Sequence, residues 1–456
     1  MSQLFEAINN TTVTTNGMPA FKSTLNANLD LFFNIGTARG SDMSEPFLKA
    51  YKENPDLALR ILQWSRDIRG GAGERQRFRD LLVSACGILS DDEVIKLLYK
   101  IPEIGRYDDL HCLLGTAYET DALHVHAVGI KNGNGLASKW APRKGIVANK
   151  LREHLGMSPK QYRKTIVGLT KVVEQQMCAN KWDEIEYSHV PSVASKKYGR
   201  AFARHDTFRY EQYLESVMSG GAKMNASAIF PHDVVSGLGI NSRQADAQWK
   251  SLPNYLEGTD ERILVVCDVS GSMYGLPLDV SVALGLYFSE RLEGVFKDCV
   301  VTFSEQPEFV KLSGGELSER VSELKKIKWG MSTNLEAVFD KLLSVAVDNS
   351  ITQNQMPTKL MIISDMQFNH CIKNGNQRAM KMIENKFSKA GFEIPQVVFW
   401  NVTNTNTGNV PISMNDSGVA LVSGASPAVV KCVLGGNLSP MQIMLDAVMI
   451  DRYNLV

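Results

Sequence analysis

From about residue 40 to residue 235, apolar positions return every three or four residues. The stretches Glu45-Pro-Phe-Leu-Lys-Ala-Tyr51, Asp56-Leu-Ala-Leu-Arg-Ile-Leu-Gln-Trp64 and Gln76-Arg-Phe-Arg-Asp-Leu-Leu-Val83 each carry an apolar stripe on one face, the period of an amphipathic helix. Asp91-Asp-Glu-Val-Ile-Lys-Leu-Leu98 repeats the pattern with acids in its first turn, where the helix dipole favours them. Lys160 to Glu174 reads as one further helix, entered through Ser158 as cap and Pro159 in the first turn. Helical pairs of this kind stack into solenoids, with an irregular bundle as the alternative. From about residue 260 the pattern changes. Apolar runs of strand length (Ile263–Cys267, Cys299–Phe303, Leu360–Ile363, Gln396–Val402, Val419–Val422) alternate with helical stretches at Ser281–Phe288, Leu335–Leu343, Arg378–Glu384 and Ala428–Leu434. That alternation predicts a doubly wound, mostly parallel sheet with helices on both faces. The chain is therefore expected to be multidomain, α plus α/β, with a helical-repeat domain over 1–250 and an α/β domain over 251–456.

At 456 residues, 44% apolar and 21% charged, the chain has the profile of a globular protein with more than one core. No apolar run reaches the roughly 18 residues that cross a bilayer, and Met1-Ser-Gln-Leu-Phe-Glu6 lacks the basic and apolar regions of a signal peptide. A cytoplasmic protein that does not enter a membrane is the expectation. Seven cysteines without CxxC spacing point to reduced thiols and away from zinc. The net charge of zero hides an asymmetry: residues 131–209 hold 16 basic side chains against 6 acidic ones. Such a local excess in a neutral chain suggests a surface for a polyanion, although a solvated array of ordinary lysines would look the same.

The chemistry concentrates after the first apolar run of the α/β half. Asp268-Val-Ser-Gly-Ser272 follows Ile263–Cys267 directly, and Asp365 follows Leu360–Ile363. In open α/β sheets, ligands bind beyond the carboxyl ends of the strands. Asp268, Ser270 and Ser272 alternate along a turn, Thr333 lies in Gly330-Met-Ser-Thr-Asn334, and these oxygens with Asp365 make a plausible set for Mg²⁺ or another hard divalent cation. Few anionic ligands would leave the ion electron-poor and open to an outside carboxylate or phosphate. The competing reading is an Asx-type turn that caps the next helix. No Ser-His-Asp order, Walker loop or HExxH occurs, and the site lacks a nearby general base and a second metal, so binding without catalysis is expected.

These residues carry a resemblance. Residues 260–456 resemble a von Willebrand factor A domain, with Asp268, Ser270 and Ser272 matching the first loop of its metal-ion-dependent adhesion site, Thr333 the second and Asp365 the third. The second loop departs from the pattern, with Gly330-Met-Ser standing where relatives often have paired glycines. Asp56 to Arg75, above all Arg66-Asp-Ile-Arg-Gly-Gly-Ala-Gly-Glu-Arg75, resembles the start of the TROVE module of the Ro autoantigen family. The resemblance implies a divergent member of phage or bacterial type: a HEAT-like repeat ring that grips small structured or misfolded non-coding RNA, joined to an A domain that recruits an acidic protein ligand. Three basic groups are the RNA-contact candidates: Arg69 and Arg75 beside the glycine-rich turn, Lys139, Arg143 and Lys144 around Trp140, and Lys197, Arg200, Arg204 and His205 on one predicted helix. The glycines could bring backbone amides to a phosphate or form a tight turn between helices. Trp140 could stack on a base, but fits better as a buried anchor. A protein-interaction adaptor that uses the metal site without RNA is the alternative.

Overall fold

The computed structural model describes residues 10–13, 19–36, 42–268, 270–303, 306–326, 334–366, 379–403, 418–434 and 438–455. They divide into two compact units. One is the α/β unit, made of the described residues up to 36 and those between Ile229 and Ala447. The other is helical, made of residues 42–228 together with 448–455.

In the α/β unit, six strands form a sheet in the order β5-β4-β3-β6-β7-β8. They span Ile263–Cys267 (β3), Cys299–Thr302 (β4), Phe309–Lys311 (β5), Lys359–Ser364 (β6), Gln396–Asn401 (β7) and Val419–Ser423 (β8). All pair in parallel except β5, an antiparallel edge strand that hydrophobic patterning does not reveal because it is three residues long and half exposed. The central strands carry continuous apolar runs (Ile263–Cys267, Leu360–Ile363, Val397–Trp400) because both faces are covered. On one face Leu264, Val266, Leu360, Ile362, Val397 and Phe399 pack with Leu335, Val338 and Phe339 of helix Leu335–Asp348. On the other lies helix Leu276–Arg291, so close that a side chain at Gly285 would meet the Cys267 sulfur at 2.2 Å. Burial pushes the Cys267 thiol up to about 12, so it is a core residue and not a nucleophile.

By contacts the α/β unit extends upstream of residue 250, the boundary expected from the sequence. Helix Leu276–Arg291 is buried continuously from Val280 to Ser289, and a helix that is apolar all round needs cover on its outer side too. Helices Pro231–Val235 and Ser242–Lys250 belong to this unit, the first packing on helix Leu276–Arg291 and the second on helix Leu317–Lys326. Trp249 meets Tyr287 edge to face, and its indole donates to Glu290. Near the start of the chain, β1 (Thr11–Val13) pairs with β2 (Pro19–Phe21), and helix Ala27–Ile35 packs on β8. A Cβ at Gly36 would lie 2.6 Å from the Ser423 hydroxyl. The segment expected as a last helix at Ala428–Leu434 is a 3₁₀ helix over Pro427–Val433, and an α-helix over Pro440–Val448 follows it.

In the helical unit, successive helices pack on their neighbours: Ser44–Glu53, Pro55–Arg66 and Arg75–Ala85, then Asp91–Ile104, Glu119–Lys131, Gly135–Trp140 and Ile146–His154. Ser90 and Glu93 form a capping box, as do Ser158 and Gln161. The single helix expected over Lys160–Glu174 is two, Pro159–Leu169 and Val173–Cys178, because Thr170 turns to an extended conformation (ψ 113°). Helices Ser192–His205 and Thr207–Ser219 complete the set.

Candidate functional site

The carboxyl end of β3 is where the sheet order reverses, since β4 lies on one side of it and β6 on the other. Register pairs Cys267 with Ile363, so Asp268 emerges beside Ser364, and Asp365 follows one residue later at this switch point. Asp268 is fully buried. Its carboxylate accepts hydrogen bonds from the Ser364 hydroxyl (2.6 Å) and the Ser270 amide (2.9 Å). Ser270 is buried and Ser272 exposed, and their hydroxyl oxygens lie 3.0 Å apart, so the hydroxyl pair leads from the carboxylates toward solvent. Asp365 is 1% exposed, and Met366 after it takes a left-handed conformation (φ 63°). That region is strained for a side-chain-bearing residue and recurs at functional sites. Burial and the Asp365 charge raise the Asp268 carboxyl to about 6, against the lowering effect of its hydrogen bonds.

The sequence thus placed Asp268, Ser270, Ser272 and Asp365 together, and the fold does bring these four to one strand-end cluster. Thr333 lies outside the described residues. Among the described residues no three His, Cys, Asp or Glu side chains form a metal-binding group. The cluster here has two carboxylates and two hydroxyls, all hard oxygens of the kind Mg²⁺ takes. A cation would also relieve the repulsion that raises Asp268. On both counts the residues present fit the ion.

The RNA-contact candidates separate into three groups. Arg69 and Arg75 are exposed at the glycine-rich turn. Their neighbours are structural: Arg66 donates to the fully buried Asp109 at 2.7 Å, and Arg79 donates to Asp108 and Asp109. The turn itself is tight, since a Cβ at Gly71 would lie 2.0 Å from the Trp64 carbonyl oxygen. Asp67 within it takes the side chains of Arg452 and Tyr453. Gly71 therefore serves packing. In the second group, Arg143 and Lys144 are exposed and Lys139 half-buried. The Arg106 guanidinium lies 3.5 Å from the centre of the Trp140 ring, so one face of that indole is already occupied. Lys139 also lines a cleft of about 420 Å³ with Lys171, Val173, Glu174, His189 and Val190.

The third group has the most regular geometry. Lys197, Arg200 and Arg204 are all exposed on helix Ser192–His205 at spacings of three and four residues, while Phe202 on the opposite side is fully buried. His205 ends this helix and stacks on Trp182, with ring centres 4.3 Å apart and planes 6° from parallel. Trp182 was missed from sequence. It stands 23 residues before its partner, and its immediate neighbours Asp183, Glu184 and Glu186 are acidic, so no local signal marked it.

Two domain families match the chain. A domain of unknown function, DUF7788, covers residues 262–446, and another, DUF2828, covers residues 14–83 and 144–259. A protein of Acanthamoeba polyphaga mimivirus, "Uncharacterized protein L728", is 30% identical over 497 aligned residues, which cover 96% of this chain and 87% of the viral one. With a helical unit, a six-stranded α/β unit and this full-length likeness, the chain belongs to the family of that mimiviral protein.

Proposed function

We propose that this protein is a non-catalytic RNA-binding protein, cytoplasmic in location, whose α/β unit holds one Mg²⁺ for an acidic ligand. The observation that carries the RNA reading is the exposed face of Lys197, Arg200 and Arg204, set within the most basic stretch of the chain. Lysine and arginine neutralise phosphates and release counterions, which gives affinity largely independent of sequence. Small structured or misfolded RNA is the ligand class favoured by the likeness of Asp56 to Arg75 to the Ro family, and a repeat ring and an A-type domain belong to the same proposal.

In the α/β unit, Asp268, Asp365, Ser270 and Ser272 would hold the ion, with Thr333 as the further ligand that the motif supplies. The bound cation would offer an electron-poor position to a carboxylate or phosphate. Asp268 is held by Ser364 and the Ser270 amide, so its carboxylate is oriented before any ion arrives.

Filter binding of a small structured RNA across a salt series tests the reading. The wild type should lose affinity linearly in log–log terms, and replacing Lys197, Arg200 and Arg204 together with Ala should reduce the slope by about 2 to 3. Equal slopes would remove this face from the interface. A specific observation favours a second reading, an adaptor that binds protein through the metal site: Tyr274 is 89% exposed and Leu276 40% exposed, immediately after Ser272. Absence of RNA affinity even at low salt would leave that reading in place of the first.

A further inference from the structure

We infer that the Trp182–His205 pair is a stacking platform for an unpaired nucleobase, a subsite that rests on the RNA-binding reading above. The two rings are parallel within 6° at 4.3 Å. His205 is exposed and Trp182 half-buried beneath it, so the assembly presents the imidazole as its outer plane. The platform is built before any ligand arrives. The Trp182 indole donates to the Asn180 side chain at 2.9 Å, which fixes the ring. The Arg209 guanidinium donates to the carbonyls of Trp182 (3.1 Å) and Ile185 (2.9 Å) and to Asp206 (2.8 Å). Asp206 in turn accepts from the Tyr187 hydroxyl at 2.8 Å. This network ties the segment that carries Trp182 to the end of the helix that carries His205.

The helix side of the platform matches a nucleotide, while the segment carrying Trp182 is acidic, with Asp183, Glu184 and Glu186 exposed. Arg204 is exposed next to His205, and Arg200 and Lys197 continue along the same helix, which places cations over about 10 Å of helix axis leading away from the platform. Phe208 is 73% exposed just beyond it and offers a second aromatic surface. An exposed flat ring beside a row of cations is how sequence-tolerant single-strand binders hold a base and its phosphates together. The cations alone would serve a duplex or a single strand. The platform selects an unpaired base, because only an unstacked base presents its face.

Fluorescence anisotropy of the full chain with a labelled single-stranded RNA of about twelve nucleotides, and with the same strand made abasic, tests this. The wild type should bind the abasic strand roughly tenfold more weakly than the intact strand. His205→Ala should lose about the same factor on the intact strand and nothing on the abasic one, while His205→Phe, which keeps a stacking ring, should stay near wild type. Far-ultraviolet circular dichroism checks that the variants fold; His205 is exposed, so its replacement leaves the core untouched. If the wild type binds both strands equally and His205→Ala changes neither, the platform is wrong and the RNA reading stands. If the wild type binds neither strand at about 50 mM salt, the RNA reading fails and takes the platform with it. A loss in His205→Ala that is equal on both strands would overturn stacking in favour of a plain charge or hydrogen-bond contact.

Discussion

Asp109 of the helical unit and Asp268 of the α/β unit are both fully buried carboxylates, yet they are treated in opposite ways. Around Asp109 the chain gathers cations: Arg66 and Arg79 donate to it at 2.7–2.8 Å, and the Arg106 amide adds a third hydrogen bond at 2.9 Å. Around Asp268 the chain supplies hydroxyl and amide donors and then a second carboxylate, Asp365, whose charge helps to lift Asp268 to about 6. A buried ion with its counter-ion beside it is part of a finished structure. A buried carboxylate set against another one is a stored cost. Asp109 is thus neutralised from within the helical unit, by Arg66 and Arg79. The α/β unit has positive charge still to come at its strand ends, and that contrast is the physical case for a cation there.

Three perturbations sharpen the contrast, each read by hydrogen exchange resolved to the two units. The largest effect is expected from Arg66→Ala, which leaves Asp109 buried with one guanidinium fewer. The helical unit should lose about 3–5 kcal/mol, with the exchange of the α/β unit unchanged. Acid comes next. Burial and the adjacent His126 hold His111 down at about 4, against 6.5 unfolded, with the two rings joined at 2.9 Å. The unfolded chain takes up this proton first as pH falls, so stability is complete above 6.5 and is lost down to about 4, by roughly 3 kcal/mol in the helical unit. The α/β unit should respond with the opposite sign. Asp268 has its folded pKa raised from 3.8 to about 6, so without a cation its contribution is favourable below 3.8 and is lost as pH rises through 6. Asp268→Asn, the third perturbation, should therefore stabilise the cation-free α/β unit at pH 7.5 by up to about 3 kcal/mol and do nothing for it below pH 4. A destabilising Asn at pH 7.5 without cation would show that Asp268 is already compensated.

Much of the α/β unit could be read along the chain because its information is local. β3, β6 and β7 are continuous apolar runs, and the chemistry stands one or two residues past their ends, at Asp268 and Asp365. The helices of the other unit announced themselves through their period and their caps, Ser90 and Ser158. What stayed hidden depends on pairs distant in sequence. Arg66 meets Asp109 43 residues later, and Asp67 meets Arg452 and Tyr453 near the far end of the chain. A run of arginines and glycines around residue 70 therefore read as well for a phosphate cradle as for a tight turn; Arg66, Asp67 and Arg79 are used in internal pairing and Gly71 in close packing. The packing of 229–250 on the α/β unit stayed hidden for a related reason. Its helices are ordinary amphipathic ones, and only the all-round apolar character of Leu276–Arg291 says that they must cover it.

Titration with Mn²⁺, a hard-oxygen substitute for Mg²⁺ whose free-ion paramagnetic resonance signal disappears on binding, probes the strand-end carboxylates most directly. At pH 7.5 the wild-type chain should take up one saturable ion, Asp268→Asn should lose it, and the wild type should lose it progressively as pH falls below 6. Equal uptake by the two proteins, or none by either, would contradict a cation at Asp268 and Asp365.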